Sequence, residues 1–205
     1  MSIPVGAKRL LSFISQYEAP NGYVDYFRGV KFPPPRPLTE MTINQVLDWQ
    51  KAANPPGLGT AAAGRYQIIE PTLKGLVRNL GLTGDELFNE EMQDRMAFSL
   101  LEGRGWGKFI RGSITAEQFA DNVAKEWAAL PLTTGPRRGL TAYPPNNRAL
   151  CSVEEYLEAI WQARQDHMDN WPKPTPKPAQ DSGVSVWSLV RRFLSLIIKI
   201  LRQRQ

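Results

Sequence analysis

The chain has 205 residues, 42% of them hydrophobic, and a formal net charge of +5, which suits one ordinary domain with a real core plus an appendage. One cysteine (Cys151) and one histidine (His167) exclude an intramolecular disulfide and any site needing two histidines, such as the common zinc hydrolases. A Ser-His-Asp site is disfavoured too, because His167 lies in a polar stretch where a satisfied or solvent-exposed imidazole is expected, so the chemistry is expected to rest on carboxylates, without cofactor or metal. Charge is uneven: residues 1–172 carry 18 Lys+Arg against 19 Asp+Glu, whereas residues 173–205 carry seven basic residues against Asp181 alone. The basic character belongs to the tail, and no nucleic-acid partner is expected for the main domain.

Lys8–Tyr17 places apolar residues at 10, 11, 14 and 17, the spacing of one helical face. Ala19-Pro20-Asn21-Gly22 stops that helix, since Pro20 disfavours helical geometry in the preceding residue and Asn-Gly favours a turn. Glu18 therefore falls in the last turn, where the negative end of the helix dipole disfavours a carboxylate. In apolar surroundings its pKa would rise, as a general acid requires; the plain alternative is a solvated glutamate at a helix end. Gly22–Val30 alternates enough for a short strand or an ordered loop. Thr42 or Thr39 is expected to cap a helix across Ile43–Ala52, with Val46, Leu47 and Trp49 inward.

Beyond the Pro55–Gly59 loop, helices are expected over Pro71–Leu80, stopped by Gly81, and over Asn89–Glu102. Thr115–Leu130 follows, capped by Thr115 and closed by Pro131. Ser152–Asp169 is expected to turn Val153, Tyr156, Leu157, Ile160 and Trp161 to the core.

Residues 172–183 change regime. Proline at every second position from Pro172 to Pro178 favours a stiff, extended spacer. In residues 184–205, helical spacing gathers Arg191, Arg192, Lys199 and Arg202 on one sector, while Trp187, Phe193 and nine aliphatic residues cover the rest. That is a cationic amphipathic helix suited to a membrane interface, with Trp187, Arg191, Arg192, Phe193, Lys199 and Arg202 as its membrane-binding residues. The charges interrupt it too often for a simple membrane span. Docking on its own domain or on another copy is the competing reading.

Four segments carry a family resemblance: Tyr17-Glu18-Ala19-Pro20, Gly22-Tyr23-Val24-Asp25, Ala63-Gly64-Arg65-Tyr66-Gln67-Ile68 and Glu126-Trp127-Ala128-Ala129-Leu130-Pro131. In that order and with similar spacings, they resemble lambda-type phage endolysins, lysozyme-like enzymes that cut the glycan strands of bacterial peptidoglycan. Residues 8–165 are covered, with Thr133–Leu150 matching less closely. The resemblance implies Glu18 as catalytic acid/base and a lytic transglycosylase outcome with a 1,6-anhydro muramic acid end, for which no second carboxylate is strictly needed. Asp25 could face Glu18 across a cleft and serve a hydrolytic muramidase instead, or simply satisfy loop amides. Gly64, Tyr66, Gln67, Tyr23, Trp127 and Tyr143 are the expected substrate contacts, and Arg65 is expected to pair with an acid near the cleft.

The expected architecture is α+β and predominantly α. It comprises a lysozyme-like catalytic domain with a small β element (1–171), a Pro-rich linker (172–183) and a cationic amphipathic helix (184–205). The expected partners are peptidoglycan and an anionic membrane surface, with a holin needed functionally for release. The N-terminus does not read as a secretory signal, so synthesis in a host cytoplasm and action in the periplasm or wall are expected. An injected antibacterial effector would share the domain, and a non-catalytic membrane-permeabilising protein is the distant alternative.

Overall fold

The computed structural model describes residues 2–54 and 61–171. The chain divides into two compact units, Met1–Asn170 and Trp171–Gln205, and all but one of the described residues lie in the first. The expected Pro-rich linker and amphipathic helix lie outside the described residues. Among the described residues, no helix is long and apolar enough to cross a membrane, and no group of three or more His, Cys, Asp or Glu could hold a metal ion.

The first unit is predominantly helical, with α1 (Val5–Glu18), α2 (Ile43–Ala53), α3 (Glu70–Leu80), α4 (Glu90–Gly103), α5 (Trp106–Ile110), α6 (Ala116–Ala124) and α7 (Val153–Asp169). Several starts are written into the sequence as caps. Thr42 and Thr115 each form a reciprocal capping box, with Gln45 and Gln118 respectively, and Asn89 and Ser152 accept from the third residue of their helices. Of the two candidate caps for α2, Thr42 is the one used.

Helix α1 packs along α7 and also meets α4, α6 packs on α7, and α2 on α3. Leu10, Leu11 and Ile14 of α1 are buried with Tyr156 and Ile160 of α7. A methyl group on Gly6 would lie 1.9 Å from the Ala163 carbonyl oxygen, so the α1–α7 approach depends on having no side chain there. Tyr17 adds a polar staple by donating its hydroxyl to Glu155 at 2.7 Å.

Three expectations need correction. The helix expected over Thr115–Leu130 stops at Ala124, and Lys125–Leu130 forms turns, because its backbone groups find partners outside a helix. Trp161 is not on the core face of α7; it is 45% exposed and meets Phe109 at its edge. His167, expected to be either satisfied or solvent-exposed, is not exposed: it is buried beside the Trp106 ring, and burial lowers its pKa.

The small β element consists of isolated bridges centred on Ala63, which pairs with both Tyr26 and Ile68. Gly22–Val30 is therefore an ordered loop opening with a single 3-10 turn at Gly22–Val24. Ala63 and Ile68 exchange two backbone hydrogen bonds of 2.9 and 3.0 Å and so close the turn Gly64–Gln67. Gln50 fixes this turn's flanks to α2: its fully buried amide donates to the carbonyls of Ala61 and Ile68, each at 2.7 Å.

Candidate active site

Glu18 is the last residue of α1. The residue is half-buried, but its carboxylate is largely enclosed, and that desolvation raises its pKa. One hydrogen bond opposes the rise: the Ala129 amide donates to Glu18 Oε1 at 3.0 Å. The carboxylate opens into a cleft of about 500 Å³ also lined by Phe27, Tyr66, Gln67, Arg104, Glu126, Trp127 and Tyr143. Of the expected site residues, the cleft thus gathers Glu18, Tyr66, Gln67, Trp127 and Tyr143.

Asp25 does not line this cleft. Its Oδ1 accepts from the Tyr26 amide at 2.9 Å, the Asn21 side chain at 3.3 Å and Arg28 at 3.2 Å, while Oδ2 accepts from the Asn21 amide at 3.2 Å. The expectation that it faces Glu18 gives way to the simpler one: this carboxylate organises its own loop. Tyr23 is likewise turned away, donating to Asp94 at 3.0 Å and accepting from Arg65 at 2.5 Å.

Gly64 acts within the fold. Its φ of +76° is left-handed, and an added methyl would meet Gln93 Oε1 at 2.2 Å, so its close approach is to α4 and not to a sugar. Tyr66 is buried and donates its hydroxyl to Asp94 at 2.6 Å, so its ring forms cleft floor and is not a free stacking face. Burial, then the hydrogen bond to Asp94 and that group's charge, push the Tyr66 hydroxyl pKa far up. Arg65 does find the expected acid, lying 3.6 Å from Asp94.

Gln67 keeps its place at the cleft with strain: its φ of +47° is left-handed for a residue with a side chain. Its amide donates to the Gly64 carbonyl at 3.0 Å, which leaves the amide oxygen as an acceptor for a ligand. Trp127 is buried and donates its indole N–H to the Tyr66 carbonyl at 3.2 Å, tying the Glu126–Pro131 segment to the Gly64–Gln67 turn. Tyr143, at 45% exposure, is the expected overhanging aromatic, with its hydroxyl bonded to the Lys125 carbonyl.

Three cleft residues carry chemistry that sequence reading missed. Phe27 presents a half-exposed ring at the rim. Glu126 is the second carboxylate in the cleft, and Arg104 holds it through two hydrogen bonds of 2.6 and 2.8 Å. Glu126 lies within one of the motif segments, so a signal existed; Arg104 sits just past a helix end with nothing in its neighbourhood to mark it.

Part of the chain is similar to a known family. The Endolysin family model matches residues 48–144. Over those residues the chain is similar to endolysins. The matched span is just under half of the chain; it includes the Gly64–Gln67 turn and the Glu126–Pro131 segment but not Glu18. Among solved structures, bacteriophage lambda lysozyme complexed with a chitohexasaccharide aligns at 19% identity and a TM-score of 0.49, over 80% of this chain and 96% of that one. No curated protein matches.

Proposed function

We propose that this endolysin-like chain cleaves the glycan strands of bacterial peptidoglycan, with Glu18 as general acid and then base, by intramolecular transglycosylation. The observation that carries this reading is the desolvated Glu18 carboxylate opening into a cleft whose other carboxylate is held by an arginine. A raised pKa keeps the proton available to the glycosidic oxygen. Glu18 donates it as the bond between that oxygen and C1 of N-acetylmuramic acid breaks. The 6-hydroxyl of the same sugar then bonds to C1, and its proton passes to Glu18. Nothing is consumed, and the product is a 1,6-anhydro end. Asp25, engaged by four donors outside the cleft, is not placed to hold a water, which favours this outcome over hydrolysis.

Mass spectrometry of muropeptides released from purified peptidoglycan tests both levels of the proposal. Anhydro ends are expected from wild type, and a drop of about 10²–10⁴-fold is expected from Glu18→Gln, the span of general-acid contributions. Full activity in Glu18→Gln would remove the acid role, and reducing ends, heavier by one water, would replace transglycosylation with hydrolysis. In this reading the enzyme is made in a host cytoplasm and reaches the wall through a holin lesion. Residues 184–205 then add peripheral contact with an anionic membrane, each basic side chain contributing about 1 kcal/mol near such a surface.

A further inference from the structure

The amide that bonds to Glu18 belongs to a segment held residue by residue. Helix α6 ends at Ala124, and the chain turns through hydrogen bonds from Glu126 and Trp127 back to the Val123 carbonyl. Arg104, the residue that closes α4, reaches across to this turn. Its Nη2 and Nε donate to Glu126 Oε2 at 2.6 and 2.8 Å, and Nη2 also donates to the Lys125 carbonyl at 3.1 Å. The next two residues are fixed by other elements: Trp127 through the Tyr66 carbonyl, and Ala128 through a 2.7 Å bond from Thr141 to its carbonyl. Ala129 then directs its N–H to Glu18.

We propose that Arg104 is a positioning residue for Glu18: its guanidinium clamps the Lys125–Glu126 turn, and that clamp holds the Ala129 amide against the Glu18 carboxylate. The geometry requires an arginine, because one planar fork serves a carboxylate and a carbonyl together, whereas a lysine offers a single point charge. The Glu126 side chain is only 13% exposed, so losing its partner draws it toward water and the turn with it. With the amide in place, one Glu18 oxygen is fixed and the proton is confined to the other. The catalytic consequence rests on Glu18 being the proton donor; the mechanical coupling does not.

Other charged and titratable groups share the cleft: Arg104 at the end of α4, Lys125 and Glu126 from the turn after α6, Tyr66 from the Gly64–Gln67 turn and Tyr143 from the loop beyond Pro131. A field effect from the first three must therefore be separated from positioning, and two variants of the full chain do so. Arg104→Lys keeps the charge and breaks the fork; Glu126→Ala removes a negative charge and breaks the same clamp. The readouts are the Glu18 side-chain carboxyl titration and the Ala129 amide exchange rate by NMR, together with kcat and KM on peptidoglycan.

Positioning predicts that the Glu18 titration midpoint rises in both variants, since the bond that lowers it is weakened. Ala129 exchange should quicken about tenfold or more, and kcat should fall about tenfold with KM within about twofold, in line with the cost of small misplacements at a reacting centre. An unchanged midpoint and exchange rate in Arg104→Lys, or a lowered midpoint in Glu126→Ala, overturns the clamp. If Glu18→Gln proves fully active, the proton-donor reading fails while the NMR measurements still decide the coupling.

Discussion

Gly64→Ala probes the turn on which the cleft floor is built. Gly64 has φ of +76°, and an alanine in left-handed geometry costs about 1–2 kcal/mol. The new methyl would lie 2.2 Å from Gln93 Oε1 and 3.0 Å from the Phe88 ring, closer than packed atoms approach. Gln93 has nowhere to retreat. It is fully buried, its Oε1 accepts from the Arg65 amide at 2.9 Å, and its Nε2 donates to the carbonyls of Tyr23 and Phe88 at 3.0 and 2.9 Å. Displacing the oxygen leaves a buried amide unpaired, which costs about 1–3 kcal/mol. The sum is a loss of about 2–5 kcal/mol.

Urea unfolding of the full chain measures that loss, and at about 2–4 °C per kcal/mol a melting point on the order of 10 °C lower should accompany it. A loss under about 1 kcal/mol would refute the reasoning, because the turn would then be free to relax. Gln93→Ala supplies the control. In that background the collision with the amide disappears, and the backbone strain of about 1–2 kcal/mol should remain together with the tight approach to Phe88. An equal cost in both backgrounds would show that Gln93 is not what the methyl meets.

Two further outcomes concern Glu18 and the cleft rim. Burial raises the Glu18 pKa in the folded protein, so its contribution to stability is fully present below the unfolded value of about 4.3 and is lost as pH rises through the folded value. Glu18→Gln, which keeps an oxygen for the Ala129 amide, should therefore melt higher than wild type at pH 7 and match it below about pH 4; a variant less stable at pH 7 contradicts the desolvation argument. Phe27→Ala removes a half-exposed ring from the cleft. If that ring stacks on a sugar, KM on soluble glycan strands should rise about fivefold with kcat little changed, as an aromatic contact of about 1 kcal/mol allows; a loss confined to kcat argues against stacking.

Local signals made much of the helical frame legible. Thr42, Asn89, Thr115 and Ser152 each begin a helix because a short side chain there satisfies an otherwise unpaired amide. The position of Glu18 at the end of α1 was legible for a similar reason, since Pro20 and the Asn-Gly turn fix where that helix stops. Asp25, Tyr23 and Gly64 lie away from the cleft although they belong to the motifs, because motif membership does not say which way a residue faces: Asn21, Tyr26 and Arg28 hold Asp25, the Arg65–Asp94 pair holds Tyr23, and Gly64 backs onto Gln93. Gln93 and Asp94 lay within a helix read only for its apolar stripe, so their partners 28 residues and more away left no trace in local periodicity.

The early end of α6 bears most on the proposed chemistry. Had the helix run on to Leu130, the Ala129 amide would donate to the carbonyl four residues back, that of Lys125. Both groups would then be spent on each other. Ending at Ala124 releases the pair: the Ala129 N–H goes to Glu18, and the Lys125 carbonyl accepts from Arg104 and Tyr143. A neutral backbone donor suits the proposed role of Glu18 as an acid that keeps its proton. A cation at the same place would stabilise the ionised form much more strongly and hold the pKa down, whereas one amide fixes an oxygen and only partly offsets burial. Because that donor is backbone, its placement depends on whatever holds the turn, and in the proposed clamp that is an arginine some twenty residues earlier in the chain, at the end of α4.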